Sequence, residues 1–380
     1  MGRTVDVAVI GAGVVGLSAA LELAGRGASV VVLDADADGG RGSRAAAGVA
    51  IPSLRLRSDP LLRRFADEGR ARLDEDVAAF EPIHPGIRRG HGVLRPVLAG
   101  AEEDALRAVA AQDPDSLGTW ADAEEMAELE PVLRGSPYAG AFVSDNGYVV
   151  DTGLYLDALA AGARAAGTTV RLGVSVLGVD TRTGGVDIAT TAGGLTADRL
   201  VVAAGAWSAT IPGIPTLDVF PLLGQMIELR HPAHQLRRLV SSRTYLAPWR
   251  AGGICLGATE ERVGFADGPT ALGSGYLLSR LVRNVPALAA ARIRTSWTGL
   301  RSASPDGRPL VGFVDGHDRR VVVGTGHGGQ GILTGRHTGR LLADLVEDRA
   351  DALPVEFAPH RATRHDDDPI TAPESEDDHG

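Results

Sequence analysis

The chain contains no lysine, so all 38 basic residues among its 380 residues are arginine. Schiff-base chemistry on an internal lysine is therefore excluded. The single cysteine, Cys255, cannot form an internal disulfide and excludes zinc or iron–sulfur sites built from cysteines. The sequence predicts no metal site.

Long apolar runs and an excess of positive charge are also missing. No stretch approaches the roughly 20 apolar residues of a membrane-spanning helix, and no basic segment followed by an apolar one marks a signal peptide. The formal net charge is −10, whereas nucleic-acid binding without sequence preference needs a basic surface. We therefore expect a cytoplasmic protein with no membrane or nucleic-acid partner.

The first 34 residues predict a strand–helix–strand unit. Val5–Ile10 is a short apolar strand, the residues after Gly16 repeat apolar side chains with a helical period, and a second apolar run ends at Asp34. The loop between the first strand and the helix is Gly11-Ala12-Gly13-Val14-Val15-Gly16.

These glycines have a mechanical explanation. Gly11 permits a tight turn, Gly13 lets the backbone approach a pyrophosphate, and Gly16 allows close helix–strand packing. The helix N-terminus offers N–H groups to the phosphates, and Asp34 can accept hydrogen bonds from a ribose diol. The pattern predicts a dinucleotide site and disfavours a 2′-phosphate, but it does not separate FAD from NAD.

Three later segments decide the family. In order they are Gly42-Ser43-Arg44-Ala45-Ala46-Ala47-Gly48-Val49, then Leu200-Val201-Val202-Ala203-Ala204-Gly205-Ala206-Trp207, then Trp297–Gly312 followed by Gly324-Thr325-Gly326-His327-Gly328-Gly329-Gln330-Gly331-Ile332. With the first glycine loop, they resemble the FAD-dependent D-amino-acid oxidase superfamily, most closely its glycine oxidase and sarcosine oxidase branch. The similarity extends to about residue 350 and is weakest between 55 and 140.

The resemblance implies an α/β fold with a Rossmann-like FAD-binding domain of the glutathione-reductase type and an inserted antiparallel β-rich substrate domain. We predict the first from residues 1–90, 145–215 and 290–358, and the second from 91–144 and 216–289. Within the second, 219–223 and 226–229 are predicted as separate strands. Residues 359–380 are polar and acidic, which predicts a disordered tail.

The resemblance also implies non-covalent FAD, because no cysteine stands in the segment matching the one that carries covalent flavin in some relatives. It gives these cofactor-binding residues: Gly11, Gly13, Val14, Val15, Gly16, Asp34, Ser43, Arg44, Ala46, Ala47, Gly48, Val176, Ala204, Gly205, Trp207, Arg301, Gly326, Gly328, Gly329, Gln330, Gly331 and Ile332. The N-terminus of the last helix would then face the pyrimidine end of the flavin.

The same resemblance implies the substrate side. Arg301 matches an arginine that forks onto the substrate carboxylate, and Tyr245 matches a tyrosine that helps to hold it. The predicted pocket comprises Val49, Glu260, Gly328 and Gly329. Two of these depart from relatives, because Gly329 stands where a glycine oxidase often has arginine and Glu260 where the residue is usually apolar. The Glu260 carboxylate either binds a cationic amine or faces solvent.

The resulting hypothesis is an FAD-dependent amino-acid or amine oxidase whose substrate is a carboxylate-bearing amine, with an N-substituted glycine preferred. Hydride transfer from its α-carbon to flavin, imine hydrolysis and reoxidation by O2 would give hydrogen peroxide. The alternatives are a D-amino-acid dehydrogenase with another electron acceptor and a non-catalytic flavoprotein. The sequence leaves open whether the chain forms a homo-oligomer.

Overall fold

The computed structural model describes residues 4–52, 56, 58–112, 117–242, 244–350 and 353–361. Its helices are α1 (Val14–Gly25), α2 (Arg41–Ala45), α3 (Pro60–Phe80), α4 (Ala101–Gln112), α5 (Ala123–Leu129), α6 (Thr152–Ala165), α7 (Ala271–Asn284) and α8 (Gly331–Val346). Its strands are β1 (Thr4–Ile10), β2 (Val30–Asp34), β3 (Arg88–Arg89), β4 (Val93–Leu98), β5 (Thr119–Asp122), β6 (Tyr138–Ser144), β7 (Val149–Val150), β8 (Thr169–Leu172), β9 (Val176–Arg182), β10 (Gly185–Thr190), β11 (Gly193–Val202), β12 (Phe220–Arg230), β13 (Leu239–Val240), β14 (Tyr245–Trp249), β15 (Gly253–Gly257), β16 (Arg292–Ala303), β17 (Leu310–Phe313) and β18 (Val321–Thr325). Among the residues that the structure describes, no helix is long and apolar enough to cross a membrane.

The first sheet has the strand order β17-β18-β11-β1-β2-β8, and the β9–β10 hairpin extends from β11. Its central neighbours pair in parallel, as β1 does with both β2 and β11. Both faces are buried, because Val7 and Val9 enter one apolar cluster while Ala8 and Ile10 enter another. Burial on both faces is typical of a parallel sheet between two layers.

The second sheet has the order β16-β12-β15-β14-β13-β4-β6-β5, and most of its neighbours are antiparallel. Alternate residues of β15 face opposite sides. Ile254 and Leu256 pack with Leu277 of α7, whereas Cys255 packs with Trp249 and Ala47. The face of β15 that carries Cys255 therefore contacts the segment after α2. That segment also packs against the apolar cluster of the first sheet.

Two local expectations need correction. The strands predicted at 219–223 and 226–229 are one continuous strand, β12, because Gly224 keeps an extended pairing with Gly299 instead of breaking the ladder. The predicted disordered tail does not begin at 359, since the Arg361 guanidinium binds the Asp306 carboxylate at 2.7 Å. Residues 362–380 of that tail lie outside the described residues.

The observed layers are those of the predicted fold class, a Rossmann-like sheet with a second, largely antiparallel sheet. The division of the chain between two domains remains our proposal. Strand β16 starts at Arg292, two residues after the proposed boundary at 290, but its hydrogen bonds join it to β12 of the second sheet. Its residues thus connect the two sheets at the candidate site.

Candidate active site

The first glycine loop packs so closely that side chains are excluded. Gly11 has a φ of +106°, and a Cβ built on it would lie 2.3 Å from the carbonyl oxygen of Ala203. A Cβ on Gly16 would lie 1.9 Å from the carbonyl oxygen of Gly11. Only glycine fits at either position, because β1, α1 and the end of β11 meet at this loop.

Polar groups surround the N-terminus of α1. Asp34 Oδ2 accepts hydrogen bonds from the N–H groups of Ala12 at 2.6 Å and Gly40 at 3.0 Å. Ser43 Oγ accepts one from the Val14 N–H at 3.2 Å. The first turn of α1 carries no acidic residue, so its positive end is available to an anion.

The segment after α2 runs beside this loop and is fixed by Thr152. The Thr152 hydroxyl donates to the carbonyl oxygens of Arg44 at 3.0 Å and Ala46 at 3.2 Å. Gly48 has a φ of +76°, and a Cβ there would lie 1.9 Å from the carbonyl oxygen of Val150. These contacts place Ala46, Ala47 and Gly48 between the two sheets as a run without bulky side chains.

The guanidinium of Arg44, another predicted cofactor contact, is hydrogen-bonded to other protein groups. It donates to the carbonyl oxygen of Gly39 at 2.8 Å and to the Asp157 carboxylate at 2.7 Å. Val176, also predicted to touch the cofactor, begins β9 and packs on the apolar cluster behind β1.

The two remaining predicted cofactor segments are hydrogen-bonded to their neighbours. Thr325 Oγ1 donates to the carbonyl oxygen of Gly205 at 2.8 Å, and the Gly326 N–H donates to Ser302 Oγ at 3.2 Å. Just before α8, Gln330 Oε1 is buried without a hydrogen-bond partner in the described part of the chain. A buried polar atom normally has a partner, so this amide fits a loop that binds a polar group.

One face of the second sheet forms a floor with few side chains. Successive residues of β16 on this face are Trp297, Gly299 and Arg301, and the register puts Gly224 of β12 opposite Gly299. Gly257 of β15 continues the floor beyond β12. A Cβ on Gly299 would lie 2.6 Å from the Ala45 side chain, so the C-terminal end of α2 lies directly above the floor.

Arg301 and Tyr245 rise from this floor. Arg301 Nη1 donates to the carbonyl oxygen of Thr259 at 3.0 Å. Burial lowers the pKa of the Arg301 guanidinium, while the nearby Glu260 carboxylate and Tyr245 hydroxyl raise it. Burial and the electrostatic influence of Cys255 hold the pKa of Tyr245 well above its usual value, opposed by Arg301. Tyr245 therefore stays a protonated donor at neutral pH, and an arginine guanidinium stays protonated in proteins.

The Tyr245 hydroxyl is buried and has no hydrogen-bond partner among the described residues. Because an unpaired buried hydroxyl is costly, its position beside the guanidinium fits a site for an acceptor such as a carboxylate. The donor set and the glycine loop thus fit both a dinucleotide and an anionic substrate.

The other predicted pocket residues differ in their surroundings. Val49 forms a β-bridge with Val149 and packs in the same apolar cluster as Tyr245. A Cβ on Gly328 or Gly329 would meet no atom within 4 Å. Glu260 is exposed to solvent although it interacts electrostatically with Arg301.

Sequence reasoning missed several floor residues. Gly224 and Thr259 contact the Arg301 guanidinium, and the Trp249 and Trp297 rings stack with centroids 5.2 Å apart. The register of β12 against β16 gives Gly224 its place, and nothing in a single sequence fixes that register.

Comparison with known proteins identifies the family. The model for FAD-dependent oxidoreductases of the D-amino-acid oxidase type matches residues 6–345. The chain belongs to this family. The predicted family is thereby confirmed, and FAD is the cofactor of its members.

Individual members of the FAD-dependent oxidoreductase family match along nearly the whole chain. Glycine oxidase from Geobacillus kaustophilus is 31% identical over 387 residues, covering 95% of this chain and 97% of that protein. Its crystal structure superposes with a TM-score of 0.86, covering 95% and 100% of the two chains. Iminodiacetate oxidase from Chelativorans sp. BNC1 superposes with a TM-score of 0.80 at 27% identity, covering 93% and 98%.

A longer relative matches only in part. The bifunctional protein ThiO/ThiG from a Nostoc strain is 31% identical over 364 residues, covering 93% of this chain and 54% of that protein. The chain therefore spans about half the length of this bifunctional relative.

Proposed function

We propose that the protein is an FAD-dependent oxidase of carboxylate-bearing amines. The observation that carries this proposal is the buried, unpartnered Tyr245 hydroxyl, which interacts electrostatically with the Arg301 guanidinium over a floor of glycines. A planar guanidinium can give a carboxylate two parallel charge-assisted hydrogen bonds, which fixes its orientation as well as its charge.

Each residue has a defined task in this proposal. Arg301 binds the substrate carboxylate, and the Tyr245 hydroxyl donates a further hydrogen bond to it. The loop of residues 11–16 would hold the FAD pyrophosphate at the N-terminus of α1, with Gly13 at the point of closest backbone approach. FAD, when bound, accepts the two electrons of the C–N oxidation and passes them to O2. The protein contributes orientation and electrostatics.

The preferred substrate is proposed to be larger than glycine. Open space at Gly328 and Gly329 leaves room for a substituent on the amine. The iminodiacetate oxidase relative supports this proposal, because its named substrate is a glycine with a second group on nitrogen. The exposed Glu260 carboxylate would then lie near the pocket entrance, where it favours a substituent that is not anionic.

Anaerobic bleaching of the flavin tests the proposal. The holoenzyme is mixed under nitrogen with glycine, sarcosine, D-amino acids and bulkier N-substituted glycines, and the visible spectrum is recorded. We expect bleaching by carboxylate-bearing amines and recovery of the spectrum with peroxide formation when air enters. A yellow protein that no amine bleaches would leave the non-catalytic flavoprotein, and a colourless protein would contradict the proposal.

Turnover in air and with an artificial acceptor under nitrogen separates the oxidase from a dehydrogenase. We propose O2 as the acceptor, a small-molecule amine or amino acid as the substrate that is oxidised, and the cytoplasm as the compartment.

A further inference from the structure

Gly224 lies in the middle of β12, directly beneath the guanidinium of Arg301. In the β12–β16 ladder, Leu222 pairs with Arg301 and Gly224 pairs with Gly299. Arg301 and Gly224 are thus diagonal neighbours on one face of the sheet. A Cβ built on Gly224 would lie 2.7 Å from both Nη1 and Nη2 of Arg301 and 2.8 Å from its Cζ.

The requirement at this position is for space and not for an unusual backbone. Gly224 has no left-handed φ, so an alanine backbone fits. The three nearest atoms all belong to the end of one flexible side chain. A methyl group would therefore displace the guanidinium without disrupting the strand.

A second contact fixes the guanidinium from the side. Arg301 Nη1 donates to the Thr259 carbonyl, while Thr259 Oγ1 accepts from the Gln225 N–H at 2.9 Å and donates to Glu261 at 2.6 Å. Gln225 follows Gly224 in the same strand. Strand β12 therefore supplies both the space beneath the guanidinium and the attachment of its hydrogen-bond partner.

We propose that Gly224 is a positioning residue for the carboxylate anchor Arg301. Its missing side chain lets the guanidinium lie flat on β12, with its plane set for two parallel hydrogen bonds to a carboxylate. This inference rests on the proposed function, because it presumes that Arg301 binds a carboxylate. Alanine at 224 keeps the charge at 301 and changes only the position of the fork.

Acetate binding to the holoenzyme tests the proposal without turnover. Acetate offers the carboxylate alone, and its affinity is measured from the change in the visible spectrum of bound flavin. We expect Gly224→Ala to weaken acetate binding about tenfold, because a displaced fork loses one charge-assisted hydrogen bond. The flavin content should match that of the unmodified enzyme. The matched control is Gly194→Ala, since a Cβ at this exposed strand position meets no atom within 4 Å.

A double-mutant cycle separates positioning from a general structural effect. In an Arg301→Ala background there is no guanidinium to displace, so Gly224→Ala should lower acetate affinity by less than twofold. A further tenfold loss in that background would overturn the proposal, as would unchanged affinity in Gly224→Ala alone. If Gly224→Ala fails to fold, the double variant should fold, because the clash is removed. A double variant that also fails contradicts the proposal.

The proposed function has its own readout. If no carboxylate-bearing amine bleaches the flavin of the unmodified enzyme, the oxidase assignment fails. The acetate cycle still reports whether Gly224 positions Arg301.

Discussion

The hydroxyl oxygen of Ser43 accepts a hydrogen bond from the backbone N–H of Val14 at 3.2 Å. This contact ties helix α2 to the N-terminus of α1, where the sequence predicts the pyrophosphate. A Cβ on Gly13, the residue before Val14, would lie 3.1 Å from the same hydroxyl oxygen. The predicted phosphate site is therefore bordered by the Ser43 side chain.

Gly13→Val is expected to abolish FAD retention. The branched side chain would press against Ser43 and occupy the space through which the backbone approaches the pyrophosphate. The ratio of flavin to protein absorbance after purification measures the effect. Gly25→Val is the control, because a Cβ at this exposed end of α1 meets no atom within 4 Å. Full flavin content in Gly13→Val would refute the predicted phosphate site.

Arg301→Lys is expected to leave FAD bound but to lower kcat/KM for a carboxylate-bearing substrate. Lysine keeps the positive charge and loses the planar fork, so one charge-assisted hydrogen bond is lost. We expect a decrease of roughly 10- to 150-fold, the equivalent of about 1.5–3 kcal/mol. Arg294→Lys, an exposed position on the same strand, should retain normal kinetics. Equal kcat/KM in Arg301→Lys and the unmodified enzyme would exclude the carboxylate-anchor role.

The sequence predicted those parts of the site that depend on local chemistry. Gly11 and Gly16 are required by contacts within a few residues or with the adjacent strand, and the predicted glycine roles follow from them. Such motifs are recognisable because each glycine stands where a Cβ would clash, and the same clash recurs in every loop of this type.

The floor of the site could not be predicted in the same way. The sequence predicts separate strands at 219–223 and 226–229, whereas pairing with Gly299 puts Gly224 in the middle of one continuous strand. Its contact with Arg301 depends on the register of β12 against β16, a pairing between segments some 75 residues apart. Local propensity carries no information about such a register.

His327 gives a prediction for the pH dependence of stability. Its Nε2 lies 2.9 Å from Thr338 Oγ1, which itself donates to the Thr334 carbonyl at 3.0 Å. The imidazole must therefore donate through Nε2–H. Burial lowers the pKa of His327 from 6.5 to about 4. Since the unfolded chain binds this proton more readily, stability should fall as pH decreases from 6.5 towards 4, by at most about 1.4 kcal/mol per pH unit.

His327→Gln should flatten that decrease. Glutamine can keep a donor near the Nε2 position and does not titrate. The unfolding midpoint of the flavin-free protein is measured between pH 4 and 7, and the variant is compared with the unmodified chain. The same slope in both would show that the acid sensitivity has another source, such as His337, whose pKa burial also lowers to about 4.

Substrate size gives the last prediction. If a substituent on the amine extends towards Gly328 and Gly329, its binding energy helps to orient the reacting C–H bond, and truncating it should lower kcat as well as affinity. Gly329→Arg fills space that is open in the structure. We expect it to reduce kcat/KM for a bulky N-substituted glycine by at least tenfold more than for glycine, an energy difference of about 1.4 kcal/mol.

Kinetics on both substrates with Gly329→Arg and with Gly194→Arg measure this difference. The second variant adds the same charge at an exposed strand position where a Cβ meets no atom within 4 Å. It should therefore leave kcat/KM unchanged for both substrates. An unmodified enzyme that oxidises glycine as efficiently as every N-substituted glycine would contradict the size prediction. Equal losses for both substrates in Gly329→Arg would instead indicate that position 329 acts on the flavin loop, because a substituent pocket affects only the substrate that occupies it.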